Sequence, residues 1–432
     1  MHERWLAACA LGATLALALA PAAAQESAPL SACIAGLRRD LPVHPEVMPQ
    51  TFDAYTRDVQ DLRPVIENAT RAQPEFQIPI WDYLARRVDA QRIAEGRALL
   101  QAQAAPLEAV ARRHGVDGAT TVAVLGIETD YGRVAGRYPV VDATLSRACL
   151  NLNSRERKQH FFDALWLLQE GVVRQESFTG SWAGAFGMTQ FMPGTFRRFM
   201  RDDPTSPPAD IVGSMADALA TTARYLRSLG WSDKLRWGVE VRASPELSAQ
   251  NALEGDHGCL AEPRAARRCR TVAAWAKSGV LRADGSPLLH QPDDALGGAE
   301  GVAALLMPAG AQGPAWLVTP NYQAIWRYNR ADTYALAIGL LSDALRGEPP
   351  PRTPWPTDDP GLSRVEFREL QQLLRERGYC EVSVDGSEGP RTGAAIRAEE
   401  LRNGWPETGR AGSRLLRSLR EQRGEPVVCV AR

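Results

Sequence analysis

The sequence has no surplus of either charge. Its 50 basic and 51 acidic side chains leave a formal net charge of -1, so no global field draws in nucleic acid or an acidic polymer, and no nucleic-acid partner is expected. Histidine is scarce, with six in the chain. None stands with cysteine at zinc spacing, so metal binding through cysteine is not expected. Beyond the first two dozen residues no apolar run is long enough to cross a bilayer, and no transmembrane segment is expected. The remaining composition, 44% hydrophobic and 23% charged, is that of a soluble globular protein. With 432 residues the chain exceeds one ordinary core and accommodates two or three domains.

What is present begins with the N-terminus, MHERWLAACALGATLALALAPAAA. A short charged start, an apolar run, Pro21 and a small-residue end predict a cleavable secretory signal over residues 1–24. L6-A-A-C9 fits a lipoprotein cleavage pattern, but it precedes the apolar run instead of following it, so a lipid anchor is not expected. The mature chain keeps six cysteines, Cys33, Cys149, Cys259, Cys269, Cys380 and Cys429. An even number in an exported protein predicts disulfides. Locality suggests Cys33 with Cys149, Cys259 with Cys269 and Cys380 with Cys429, one of 15 pairings that six cysteines allow.

The stretch G347-E-P-P-P-R-T-P-W-P-T-D-D-P-G361 carries six prolines. Such a segment forbids helix and favours an extended spacer, which divides a large domain, 26–346, from a C-terminal module, 362–432. In the large domain, apolar spacing predicts helices over 80–100, 161–173, 217–229 and from Asp332 onward. Between 237 and 320, Gly, Pro and Asp-Gly turns and short β-type runs predict a smaller inserted α+β subdomain. The module shows three short helical patterns, around Phe367–Leu374, after Thr392 and around Leu415–Leu419. The expected fold class is mainly α.

Three stretches carry chemistry. In V124-L-G-I-E-T-D-Y-G-R-V-A-G136 an apolar run ends on Glu128. Residues 120–127, TTVAVLGI, predict a helix buried nearly all round, with Glu128 emerging at its C-terminal end. Burial there disfavours the ionised carboxylate, the environment of a general acid. A helix-end cap or a pair with Arg133 is the plainer reading. In G180-S-W-A-G-A-F-G-M-T-Q-F-M-P193, glycines alternate with aromatics and methionines around Gln190. Glycine admits close approach to the backbone, rings offer flat faces to sugars, and Gln both donates and accepts; a tightly packed helix pair would use the same residues. In N321-Y-Q-A-I-W-R-Y-N-R-A-D-T-Y334, Tyr, Trp and Asn recur, as they also would in an aromatic core.

Together these stretches resemble the soluble lytic transglycosylase B family, whose members cleave bacterial peptidoglycan. Its further matching pieces are P74-E-F-Q-I-P-I-W-D-Y-L84 and I211-V-G-S-M-A-D-A-L-A-T-T-A-R-Y225. The resemblance implies a lysozyme-like helical catalytic domain. It implies that Glu128 is the single acid/base, that Ser181, Gln190 and Tyr225 line the sugar groove, and that Tyr328, Asn329 and Tyr334 surround the acid. Asp130 has no catalytic counterpart and is expected at a helix end or in solvent. Some relatives carry a calcium loop where this chain has R201-D-D-P-T-S-P-P-A-D210. Prolines occupy its middle and the central glycine of an EF-hand loop is missing, so no metal and no cofactor are expected. The C-terminal segment, E366-F-R-E-L-Q-Q-L-L-R-E-R-G-Y379 through V384-D-G-S-E-G-P-R-T-G-A-A-I396, resembles a three-helix peptidoglycan-binding domain. Glu399-Glu400 replace the family's Phe-Gln pair, a departure that concerns wall contacts more than fold.

The resemblance implies peptidoglycan glycan strands as partner and, with the export signal, a periplasmic location. On it, Glu128 protonates the bridging oxygen between N-acetylmuramic acid and N-acetylglucosamine. It then deprotonates the muramyl C6 hydroxyl, which closes a 1,6-anhydro ring. A muramidase would need a second carboxylate, for which Asp130 and Asp142 are the candidates. A non-catalytic wall-binding protein would not need Glu128 at all. The proline spacer is expected to make the module a tether that raises local substrate concentration. For the 237–320 subdomain two roles are open, closing the groove or contacting cell-wall synthesis or division proteins.

Overall fold

The computed structural model describes residues 29–71, 78–247, 252–253, 258–261, 269–289, 295–422, 427 and 429. The signal segment 1–24, Cys9 and the first part of the 74–84 stretch lie outside the described residues.

Helix dominates. The large domain begins with α1 (Leu30–Arg39), α2 (Pro49–Thr56), α3 (Arg63–Arg71), α4 (Ile80–Arg87), α5 (Ala90–Ala102) and α6 (Ala104–His114). It continues with α7 (Gly118–Thr129), α8 (Val140–Cys149), α9 (Arg155–Gln169), α10 (Pro193–Phe199) and α11 (Met215–Ser228). After the short α12 (Gly258–Ala261) and α13 (Val272–Lys277) it closes with α14 (Pro320–Asn329) and α15 (Asp332–Arg346). One expected helix is two. The 80–100 segment breaks at Val88, because the Asp89 carboxylate accepts from the Arg92 N–H at 2.8 Å and starts α5 as an N-cap.

Two cores meet along the middle of this domain. One surrounds α7 and α15 and takes in Val122–Leu125 and Leu336–Ile338. The other gathers α8, α9 and α10 around Phe161, Phe162, Phe186 and Phe196. Met188 and Tyr328 touch both. In the second core His44 stacks on Phe162 at 3.8 Å, and His160 Nδ1 accepts from the Gly194 N–H at 3.2 Å. Burial pushes both imidazoles below their ordinary value. Their stabilising contribution is therefore complete above about pH 6.5 and is lost as the pH falls toward the lowered folded values. The melting temperature is expected to drop between pH 7 and pH 5, and His160→Gln is expected to flatten that drop; an unchanged slope in the variant would remove His160 from the account.

After a small antiparallel pair, β1 (Tyr138–Pro139) and β2 (Thr179–Gly180), the described residues of the inserted subdomain form a six-stranded sheet with β3 (Gly238–Arg242), β4 (Ala252–Leu253), β5 (Cys269–Thr271), β6 (Leu281–Arg282), β7 (Val302–Leu306) and β8 (Ala315–Val318). The order runs β4-β7-β8-β3-β6, with β5 also on β7. Alternation sorts its faces. Ala304, Leu306, Trp316 and Val318 join the α7/α15 core, while Ala303, Leu305, Ala315 and Leu317 form a separate core with Trp275.

The C-terminal module is α16 (Arg364–Glu376), α17 (Pro390–Arg402) and α18 (Ser413–Glu421) around Phe367, Leu370, Ile396 and Leu416. A capping box of Ser363 and Glu366 opens α16. Glu399 and Glu400 are buried, at 0% and 6% exposure. Glu399 accepts from Tyr379 Oη at 2.9 Å, and Glu400 from the Gly409 N–H at 2.8 Å. They face inward and hold the module together. Disulfides join Cys33 to Cys149, Cys259 to Cys269 and Cys380 to Cys429, as locality suggested.

The proline segment does not behave as a free spacer. Glu240 accepts from the N–H groups of Arg352 at 2.8 Å and Thr353 at 2.9 Å. Trp355 packs on Trp316 with ring centroids 6.0 Å apart. Prolines prevent helix, but they leave extended backbone and rings that lie well on another surface. The module follows the segment onto the large domain. Arg410 grips Asp82 with Nε and Nη2, at 2.6 and 2.8 Å, and Arg86 reaches Glu388 at 2.9 Å.

Candidate functional site

The apolar run before Glu128 forms α7, and every residue from Ala119 to Ile127 is buried. The helix stops abruptly. Asp130 and Tyr131 both adopt left-handed backbone, with φ of 53° and 62°. That conformation costs roughly 1–2 kcal/mol for a non-glycine residue. Side-chain bonds hold it. Thr129 Oγ1 donates to the Met188 carbonyl at 2.5 Å and accepts from the Gly132 N–H at 2.9 Å. Tyr131 folds back beneath the helix, and its Oη donates to the Arg92 carbonyl at 2.7 Å. A Cβ on Gly126 would lie 2.7 Å from the Tyr131 ring, so glycine is needed there.

Glu128 is thereby left half-buried at the end of α7, where Tyr334 Oη donates to its Oε1 at 2.5 Å. Tyr334 lies in the first turn of α15 and is 2% exposed. Burial, and then the charge of Glu128, push its phenol well above the ordinary value, so it stays protonated and donates. Tyr328 stacks on Tyr334 at 6.4 Å and donates to the Thr189 carbonyl at 2.8 Å. Its phenol is also raised, by burial first and Glu128 second. Tyr225 on α11 packs against Tyr328 at 5.1 Å and Phe191 at 5.5 Å.

The 180–193 loop closes against the 130–136 loop. Gln190 Nε2 donates to the carbonyls of Ala135 and Gly187, both at 3.0 Å. Ser181 Oγ accepts from the Ala185 N–H at 3.2 Å. Gly136, with φ of 96°, lies so close to Gly180 that a Cβ would meet its carbonyl carbon at 2.1 Å. Tyr334, Tyr328 and Tyr225 thus form a continuous aromatic wall at Glu128, while Ser181 and Gln190 shape the adjoining loop. Asn329 is exposed at the last residue of α14.

The ion pairs of Arg133 run to two other acids, Glu95 at 2.6 Å and Asp130 at 2.7 Å. Asp130 is the helix C-cap but not a solvent residue, since Arg92, Arg133 and Arg364 all reach it. Burial alone would raise its pKa, and the Arg133 hydrogen bond with the charges of Arg92 and Arg364 overrides this and holds it below the usual range. Asp142 accepts from the Gln60 N–H at 3.2 Å, and burial pushes its carboxyl up. In the 201–210 loop, Asp203 is occupied by Thr205 Oγ1 at 2.6 Å and Ser206 Oγ at 2.5 Å. No group of three His, Cys, Asp or Glu suited to a metal ion occurs among the described residues, and none of their helices is long and apolar enough to cross a membrane. A cavity of about 1150 Å³ lies elsewhere, between α4, α5, the sheet and the proline segment, and Glu128 is not in its wall.

The family model for the transglycosylase SLT domain matches residues 30–343. The chain belongs to that family. A second model, a putative peptidoglycan binding domain, matches residues 363–419. Among solved structures, SltB3 from Pseudomonas aeruginosa in complex with NAG-anhNAM-pentapeptide is 35% identical, with a TM-score of 0.65, over 91% of this chain and 100% of that one. Slt35 of Escherichia coli, at 20% identity and a TM-score of 0.59 over 73% of this chain and 92% of that one, shares the fold. The membrane-bound lytic murein transglycosylase B of Escherichia coli K12 is 25% identical over 236 residues, which is 54% of this chain and 58% of that relative.

Within this transglycosylase SLT domain, sequence reasoning overlooked Thr129 and Tyr131, although both sit in the quoted E-T-D-Y-G stretch. Their role is to fix the backbone after Glu128. The backbone is unusual in the same stretches. Among the described residues, the non-glycines with positive φ are Asp130, Tyr131, Gln190 and Arg330. All four fall in the three stretches singled out above, as strained residues at functional sites do.

Proposed function

We propose that the chain is a peptidoglycan lytic transglycosylase in which Glu128 serves as both acid and base. The observation that carries this is a single carboxylate held by a neutral phenol, Tyr334, at 2.5 Å, with the neighbouring acid, Asp130, committed to arginines. Glu128 gives its proton to the oxygen of the MurNAc–GlcNAc β-1,4 bond, and the C1–O bond breaks. The oxocarbenium-like centre is stabilised by the substrate's N-acetyl group and by dipoles such as Asn329. Glu128, now anionic and steadied by Tyr334, takes the proton from the C6 hydroxyl, whose oxygen bonds to C1. Proton and electron pairs balance without water, so no second base is needed. Ser181, Gln190 and Tyr225 line the groove. The N-acetylglucosamine–anhydro-muramyl ligand of the 35%-identical SltB3 supports this product. The C-terminal module binds glycan strands, and residues 1–24 direct the enzyme to the periplasm.

Mass spectrometry of fragments released from purified peptidoglycan tests the reading. Anhydro-muramyl ends, one water lighter than reducing ends, are expected. Reducing ends would make the enzyme a hydrolase and overturn the single-carboxylate mechanism.

A further inference from the structure

We propose that Arg364, the first residue of the C-terminal module's first helix, is a positioning residue for Glu128, so that the module is part of the catalytic apparatus and not only an anchor. This rests on the transglycosylase reading above.

The contacts are these. The Arg364 side chain is 9% exposed, and its Nε meets Asp89 at 2.6 Å. Its Nη2 also reaches Asp89, at 3.2 Å, and its Nη1 bonds Asp130 Oδ1. Asp89 is the cap that starts α5. Asp130 is the cap that ends α7, two residues beyond Glu128. One guanidinium from the module therefore fastens the start of one helix to the end of the helix that presents the acid. Arg92 approaches the same oxygen of Asp130 at 3.2 Å. It is 3% exposed, and its Nε and Nη1 have no partner. Burial, and then the Arg364 charge, push it down to about 10, which still leaves it charged at neutral pH.

The arrangement answers a local question. Two successive left-handed non-glycine residues do not persist unless the surroundings over-determine them. Thr129 and Tyr131 supply neutral bonds, and Arg92, Arg133 and Arg364 supply the charged ones. Of the three cations, Arg364 alone comes from outside the large domain. Without it Asp130 loses a nearly buried partner, the turn relaxes, and Thr129 loosens its hold on the Met188 carbonyl. Glu128 then moves relative to Tyr334. Displacements of about 1 Å at a reacting group cost up to 10²-fold in rate.

Steady-state kinetics on short soluble glycan strands test this, because a tether contributes nothing there. Arg364→Ala is expected to lower kcat about tenfold while KM stays within about twofold and co-sedimentation with sacculi is unchanged. Arg364→Lys, which keeps the charge but has a single donor centre, is expected to recover part of the loss. If Arg364→Ala does not fold, the Lys variant alone carries the test through its kcat at unchanged melting temperature. Wild-type kcat in folded Arg364→Ala, or in Arg364→Lys where the Ala variant does not fold, overturns the proposal. So does loss confined to sacculi, which would restore the module to a tether. Failure of the transglycosylase reading would show separately, as wild-type protein that yields no anhydro ends.

Discussion

Glu128→Gln is expected to lower the release of anhydro-muropeptides by about 10²–10⁴-fold, the range general acid–base groups contribute. The amide matches the carboxylate in size and can still accept from Tyr334 Oη. It has no proton to give to the leaving oxygen and cannot take one from the C6 hydroxyl. Both half-reactions fail together, so neither accumulates an intermediate. Glu128 is the one residue from Ala119 to Thr129 that is not buried, so the fold should not register the change. Product quantification beside a melting curve checks this. A variant with wild-type melting and wild-type turnover would remove Glu128 from the mechanism.

Arg410→Ala is expected to destabilise the docked C-terminal module by about 3–5 kcal/mol, the cost of leaving a buried charge without its partner. Asp82 is 4% exposed at its side chain, against 25% for Arg410. Its two oxygens accept from Arg410 at 2.8 and 2.6 Å, and Arg410 also reaches Asp359 at 2.7 Å. Removing the guanidinium strands Asp82 beside Gly361, in the joint between the two parts of the chain. Calorimetry should show the module's transition moving to lower temperature, ahead of the large domain's. A single unshifted transition would mean that Asp82 rehydrates at little cost and that docking depends on other contacts.

The local elements were legible in the sequence, while the joints between them were not. Residues 120–127 announced a buried helix because nothing there can face water without loss, and α7 is that helix. The break at Val88 was missed because apolar spacing continues through it, although Asp89 followed three residues later by Arg92 is an ordinary cap position. Glu128 could be singled out because a carboxylate directly after an apolar run is costly. Tyr334 lies 206 residues away, and no local pattern pairs them. The proline segment misled for a physical reason. Composition reports that a stretch cannot be helical or compact, but not which surface it will lie on. Trp355 was the available signal, since an indole in a true spacer would have nothing to cover. The two glutamates of the module read as a departure in wall contacts because they stand where the resembled family has a Phe-Gln pair. Both prove to be internal acceptors, with donors supplied from Tyr379 and Gly409.

The fold of Tyr131 beneath α7 links positions 96, 126 and 131. A Cβ at Gly96 would lie 2.4 Å from the Tyr131 hydroxyl, and one at Gly126 would lie 2.7 Å from its ring. None of the three can drift alone. Enlarging either glycine expels the ring, and shrinking the ring leaves a hole under the helix that carries Glu128. Among descendants of this sequence, positions 96, 126 and 131 should therefore change as a set or not at all. A lineage that traded Tyr131 for a small side chain would be free to fill the Gly126 site, while at Gly96 the Leu345 side chain, 2.6 Å from such a Cβ, would also have to shift.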